Sequence, residues 1–190
     1  MYRIIALMGE AGAGKDSLMQ AILEREGNLH EIVSCTTRPK REGEVHGINY
    51  YYYTPEKFGD MVLHNEMLEC TVFNDWFYGT SYESVRSDCI NIGVFNPAGI
   101  EALEARGDVD LFVVWVTASQ KTRLLRQLNR EENPDVDEIV RRYRADQIDF
   151  ADFETNARTL IVWNEDISLN VLADTTLQTL GEWMRLGKID

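Results

Sequence analysis

The apolar run Ile4-Ile5-Ala6-Leu7-Met8 leads without a break into Gly9-Glu10-Ala11-Gly12-Ala13-Gly14-Lys15, and helical spacing (Leu18, Ala21, Ile22) begins at once. Few folds accept that succession. A short apolar run ending in glycines reads as a buried strand, and a helix that follows it packs back over the sheet the strand belongs to. The alternation recurs along the chain. Apolar runs mark candidate strands at 3–8, 31–35, 89–95, 110–116 and 159–163. Between several of them lie helical patterns: Ile100, Leu103 and Ala105 closed by Gly107, then Leu124, Leu125 and Leu128 after a Ser119 cap, then Leu169 through Trp183. Short continuous strands alternating with amphipathic helices predict an α/β fold, with a five-stranded parallel sheet flanked by helices.

Two stretches break the rhythm. Residues 36–88 hold Pro39, the run Tyr50-Tyr51-Tyr52-Tyr53 and turn glycines at 43, 47 and 79, which suggests an inserted subdomain. Residues 129–138 are polar and read as an excursion between two helices. The expected organisation is one domain over 1–190. Its core would be 1–35, 89–126 and 144–190, with the inserted subdomain at 36–88 and a lid at 127–143. A chain of 190 residues can bury one such core.

Gly9 to Lys15 fits G-x-x-x-x-G-K, placed between a strand and a helix. Glycines let backbone N–H groups turn inward around a phosphate, the helix N-terminus adds partial positive charge, and Lys15 reaches the outer phosphates. A plain glycine-rich turn with a surface lysine would use the same letters, but the strand–loop–helix setting favours a P-loop. Gly9, Glu10, Ala11, Gly12, Ala13, Gly14, Lys15, Asp16 and Ser17 are thus the candidate nucleotide-phosphate contacts. After the lysine, such loops carry a Ser or Thr whose hydroxyl binds Mg²⁺; here Asp16 stands there. An acid in a first helical turn is favoured by the dipole alone. A carboxylate beside polyphosphate also suits a direct or water-mediated Mg²⁺ ligand.

Charge supports an anionic small-molecule ligand. Asp and Glu number 32 against 19 Lys and Arg, a net −13, which argues against a partner such as nucleic acid or anionic lipid. Yet seven of the 19 basic residues lie between Lys121 and Arg144, and three more between Arg38 and Arg41. Cations concentrated in two places on an acidic protein are aimed at an anion. Three cysteines with no CxxC spacing suggest neither a disulfide framework nor a zinc site, but buried or half-buried thiols in a reducing, cytoplasmic setting. Leu111–Val116 is far shorter than the ~20 residues that cross a bilayer.

The stretch Ser34-Cys35-Thr36-Thr37-Arg38-Pro39-Lys40-Arg41-Glu42-Gly43-Glu44-Val45-His46-Gly47-Ile48-Asn49-Tyr50 places two guanidinium groups at a tight turn. Arg38 and Arg41 there can clamp a phosphate, with the Tyr50 hydroxyl as a further donor.

Here the sequence resembles the guanylate kinase family, which carries T-T-R-x-P-R-x-G-E-x-x-G-x-x-Y after its phosphate loop. In this chain the proline sits one place early and Lys40 takes its position. Phe58, Leu68-Glu69 and Tyr78-Gly79-Thr80-Ser81 are similar to the family's next block, and Asn164-Glu165 to its last Asn-acid pair. The resemblance implies phosphorylation of GMP or dGMP by ATP with Mg²⁺, in a cytoplasmic enzyme with nucleotides as partners. Arg38, Arg41, Tyr50 and Tyr78 would hold the acceptor monophosphate. Ser34, Glu69, Gly79, Thr80 and Asn96 would surround guanine, Asn164 would belong to the ATP site, and Lys15, Arg38, Arg126, Arg130 and Arg142 would act on the transferring group. The base chemistry is coherent, because a carboxylate accepts from guanine N1–H and its exocyclic amine together, whereas adenine N1 is an acceptor. Such mismatches discriminate by about 10⁴–10⁵. Phe95-Asn96-Pro97-Ala98-Gly99 departs from the family's D-x-Q-G, so position 96 accepts without charge. Trp76 is expected to wall the acceptor pocket, with Trp115, Trp163 and Trp183 as packing residues. The alternatives are a related P-loop kinase for another nucleoside monophosphate or a ribose bisphosphate, and a non-catalytic binding module of the same family.

Overall fold

Along the chain the elements are β1 (Tyr2–Met8), α1 (Lys15–Leu23), β2 (Leu29–Glu31), β3 (Cys35–Thr36), β4 (Tyr51–Tyr52), α2 (Pro55–Leu63), β5 (Met67–Phe73) and β6 (Trp76–Ser81). There follow β7 (Ile90–Val94), α3 (Pro97–Glu104), β8 (Val109–Thr117), α4 (Gln120–Leu128), α5 (Val136–Asp149), β9 (Thr159–Trp163) and α6 (Leu169–Leu186). This computed structural model describes residues 1–41, 43–73, 75–130 and 132–186; Glu42 of the basic turn and Glu131 of the polar excursion lie outside them. The expected parallel sheet is present, with five strands in the order β2-β7-β1-β8-β9. Two units divide the chain: residues Met1–Ala6 with Asn28–Leu111, and Leu7–Gly27 with the chain from Phe112 onward.

In the first unit, β2 lies parallel to β7 in the register Leu29 to Ile90. A second sheet, ordered β4-β3-β6-β5, holds β3 parallel to β4 and antiparallel to β6, with β5 antiparallel to β6. The strand expected at 31–35 is in fact two pieces. Ile32 N still donates to Ile92 O at 2.8 Å, but Ser34 O already accepts from Tyr51 N at 2.9 Å, and Cys35 and Thr36 pair with Gly79 and Tyr78. One apolar run therefore feeds two sheets, which periodicity cannot resolve because both destinations are buried. Cys35, Phe58 and Met61 form the core of the second sheet, with Tyr51, Tyr53 and Met67 against it. Thr54 caps α2 by accepting from Lys57 N at 3.2 Å, and Pro55 opens the helix.

The second unit pairs β8 with β9 in parallel, Val113 opposite Thr159, and packs α1 on α6 and α4 on α5. Its helix α4 departs from the apolar pattern. Leu125 and Leu128 face solvent, while the buried side chain is Arg123, 3% exposed. Trp183 packs on Phe112 and Trp115 beside Phe150 and Phe153, as expected of packing residues. Trp163 instead lies 57% exposed on β9, on the same solvent-facing side of the strand as Ile161 and opposite the buried Val162. Cys70 is also exposed, contrary to expectation, because it points away from the side to which Glu69 turns. No helix among the described residues is long and apolar enough to cross a membrane.

Candidate functional site

In the second unit the loop after β1 is held from outside by side chains. Its carbonyls are taken one after another. Gln127 Nε2 donates to Ala11 O at 3.3 Å, Arg126 Nη1 to Gly12 O at 3.3 Å and Ala13 O at 3.2 Å, and Asn164 Nδ2 to Ala13 O at 2.8 Å. Arg126 Nη2 also donates to Asn164 O at 2.9 Å, so its guanidinium braces the loop's frame. Gly12, at φ +80°, could not be another residue: an added Cβ would lie 2.4 Å from Arg123 O. With its carbonyls committed, such a loop can offer N–H groups to an anion. Gly14, left-handed at φ 95°, precedes α1, whose first turn carries Lys15 with Asp16 and Ser17 exposed.

Around this frame sit more charges. The buried Arg123 contacts Glu10 Oε1 at 3.3 Å and donates to Ala118 O, while Glu10 Oε2 is buried without a hydrogen bond among the described residues. Asp146 of α5 accepts the Ala11 N–H at 2.7 Å. On the same helix Glu138 holds Arg142 at 2.7 Å and Arg141 at 2.5 Å, and the two guanidinium groups keep its carboxyl down to about 2. Arg130 stands in the turn after α4, exposed. Glu165, beside Asn164, accepts from Ser119 N, Ser119 Oγ and Thr122 Oγ1, tying the chain after β9 to the start of α4.

In the first unit, Arg38 is 5% exposed. It donates through Nη1 to Pro39 O and through Nη2 to Glu44 Oε1, both at 2.8 Å, and lies over the rings of Tyr50 and Tyr52. Glu44 Oε2 accepts from Arg41 N and from the Tyr52 hydroxyl, each at 2.8 Å. Burial acts against the Glu44 carboxylate, but these donors outweigh it and hold the group down to about 2. The Tyr50 ring meets Tyr78 edge-on at 6.1 Å, and Tyr78 meets Phe73 likewise. Arg38, Tyr50 and Tyr78 are thereby one aromatic-walled cluster. Glu44 and Tyr52 were not among the candidates, although a glutamate six residues past an arginine across a glycine turn is a signal for such a pair.

Glu69 owes its placement to a β-bulge. The register of β5 on β6 shifts between Met67 and Glu69, so Leu68 and Glu69 are both buried where strict alternation would expose one of them. Gly79 permits the close pairing, since a Cβ there would fall 2.6 Å from Glu69 O. Burial, the largest influence, pushes the Glu69 carboxyl up to about 7 against the opposing pull of Thr80, whose Oγ1 is close by but makes no well-formed hydrogen bond among the described residues. Asn96 is the N-cap of α3: its Oδ1 accepts from Gly99 N at 2.7 Å while its Nδ2 donates to Thr71 Oγ1 at 3.1 Å. A Cβ on Gly99 would lie 3.4 Å from Glu69 Oε2, so the carboxylate sits beside the first turn of α3. Glu69, Thr80 and Asn96 are thus neighbours, whereas Ser34 is placed at the crossing between the two sheets. Trp76 opens β6, opposite Phe73 of β5.

Residues 1–178 match the sequence model described as guanylate kinase. The chain is 35% identical over 146 residues to the guanylate kinase of Paramagnetospirillum magneticum (strain ATCC 700264 / AMB-1), a match covering 75% of this chain and 68% of that one. It is 42% identical over 83 residues to the guanylate kinase of Nostoc sp. (strain PCC 7120 / SAG 25.82 / UTEX 2576), covering 44% of this chain and only 42% of the relative. A crystal structure of guanylate kinase from Anaplasma phagocytophilum superposes with a TM-score of 0.70 at 20% identity, covering 96% of this chain and 86% of that one.

Proposed function

The chain belongs to the guanylate kinase family, and on that premise we propose that it transfers the terminal phosphoryl group of ATP to GMP or dGMP. Phosphoryl transfer asks a protein chiefly for alignment and charge neutralisation. The braced loop from Gly9 to Ser17 would hold the donor phosphates, with Lys15 reaching the outer ones. Arg38, Arg41, Tyr50 and Tyr78 would hold the acceptor phosphate, and Glu44 keeps Arg38 oriented for that work. Residues 36–88 and 127–143 would be the acceptor subdomain and the lid, with Arg130 and Arg142 brought to the transferring group as the lid closes. Asn164 and Arg126 act on the donor side through the loop they brace. Asp16 fits a site where Mg²⁺ is held by one carboxylate together with nucleotide phosphates. The ion would neutralise charge on the transferring group.

Glu69 carries the reading. A carboxylate 8% exposed is costly without partners, and guanine supplies two adjacent N–H donors to an acid lying beside Thr80. Ser34 and Thr80 would complete the base contacts. The acceptor phosphate is anionic at neutral pH and needs no general base. A coupled ADP-release assay over all common nucleoside and deoxynucleoside monophosphates tests this: GMP or dGMP should be preferred. A preference for AMP, or no turnover with any of them, overturns it.

A further inference from the structure

The stripe Glu138, Arg142 and Asp146 runs along α5 at intervals of one turn. Its last member leaves the helix surface altogether. Asp146 is 6% exposed, and its Oδ2 takes the Ala11 N–H of the phosphate loop at 2.7 Å. Lys15 and Arg123 attract this carboxylate and Glu10 repels it; burial, the largest influence, pushes it up. A carboxylate is therefore already seated on a loop amide and within the field of Lys15, where polyphosphate charge would gather.

We propose that Asp146 is an internal competitor for the phosphate loop: donor polyphosphate binds against its carboxylate and displaces it, loosening α5 from the loop as the donor enters. The proposal rests on the donor-site reading above. Its logic is that one N–H and one ammonium cannot serve a carboxylate and a phosphate at full strength together, and like charges a few ångströms apart in a partly desolvated site repel. Displacement would also free the helix that carries Arg142, linking donor entry to the lid.

The test is calorimetric titration of the full chain with inorganic tripolyphosphate and with adenosine, at fixed Mg²⁺. Asp146→Asn keeps an acceptor for Ala11 N–H and removes the charge. It should bind tripolyphosphate about fivefold tighter, while adenosine affinity stays within about twofold. Asp146→Ala should gain at least as much. Unchanged or weaker tripolyphosphate binding by Asp146→Asn overturns the proposal and leaves Asp146 as a loop support. A measurement on the wild type needs no variant: tripolyphosphate should speed amide hydrogen exchange in the last turns of α5, and unchanged protection there overturns the displacement. If the wild type binds neither tripolyphosphate nor ATP, the kinase reading falls and the competitor with it; normal ATP binding with unaltered variants overturns the competitor alone.

Discussion

Two regions of the first unit each hide a glutamate, and they treat it in opposite ways. At the basic turn, Glu44 is ringed by Arg38, the Arg41 amide and the Tyr52 hydroxyl, and is held ionised down to about 2. At the β5–β6 bulge, Glu69 is buried with fewer donors and pushed up to about 7. In the first region the Glu44 carboxylate finds its donors within the turn itself. In the second, burial outweighs the donors present, and under the proposed function guanine would add two more. The first carboxylate braces a turn, and the second is the proposed reader of the base.

The contrast breaks most sharply at Arg38. Arg38→Ala leaves Glu44 without its cation and removes an arm of the proposed acceptor clamp. We expect folding stability to fall by about 2–4 kcal/mol, as for other severed buried pairs, and kcat/KM for the acceptor to fall by about 10³. Denaturant midpoints and steady-state rates check both. A variant with wild-type acceptor kinetics would remove Arg38 from the site.

Glu69→Gln is next. It should lower kcat/KM for GMP by about 10² with the KM for ATP unchanged, because the amide presents a donor where guanine needs an acceptor. Its effect on folding should be opposite in sign to that at Arg38, since a neutral amide removes a desolvated charge.

The pH dependence separates the glutamates further. The folded-state value of Glu69 lies above the ordinary 4.5, so the folded form binds the proton more tightly than the unfolded one. Its contribution is full below pH 4.5 and is lost as pH rises toward about 7. The folded-state value of Glu44 lies below 4.5, so its contribution is present above that pH and is lost as pH falls toward about 2. Melting temperatures of Glu69→Gln relative to wild type should therefore rise between pH 5 and 7, and the deficit of Glu44→Gln should shrink below pH 4. The KM for GMP should improve severalfold as pH passes about 7 in the wild type and stay level in Glu69→Gln. Parallel profiles for the two variants would erase the distinction.

The smallest effect belongs to Asn96. Loss of its cap in Asn96→Ala should cost about 1 kcal/mol in chemical denaturation, and acceptor preference should change little despite its place beside Glu69, because its Oδ1 and Nδ2 already serve Gly99 N and Thr71 Oγ1.

What the sequence disclosed follows the same division. The glycine loop between β1 and α1 was legible because its requirement is conformational and written in glycines at fixed spacing. The sheet was legible because buried parallel strands need continuous apolar runs. The split of the 31–35 strand was not, since Ile32 and Cys35 are equally apolar and serve different sheets. Arg123 was hidden for the opposite reason: hydrophobic periodicity assigns burial to leucines, and here a guanidinium is buried because it pairs with Glu10 and Ala118 O. The roles of Glu44 and Asp146 are pairings across turns and across 135 residues of chain. The Asp146 pairing is set by tertiary placement, which no local pattern encodes, whereas the Glu44 pairing is local and is signalled by its spacing from Arg38 across Gly43.

Trp163 stands on the exposed face of β9 and is followed directly by Asn164, whose amide holds Ala13 of the loop. Trp183 is buried on Phe112. The protein thus contains a native optical gauge: among its four indoles, one open to a collisional quencher stands one residue from the loop's brace, while the others are more shielded. Acrylamide quenching of the intrinsic emission would sense any shift of that brace without a label, and Trp163→Phe would isolate the signal.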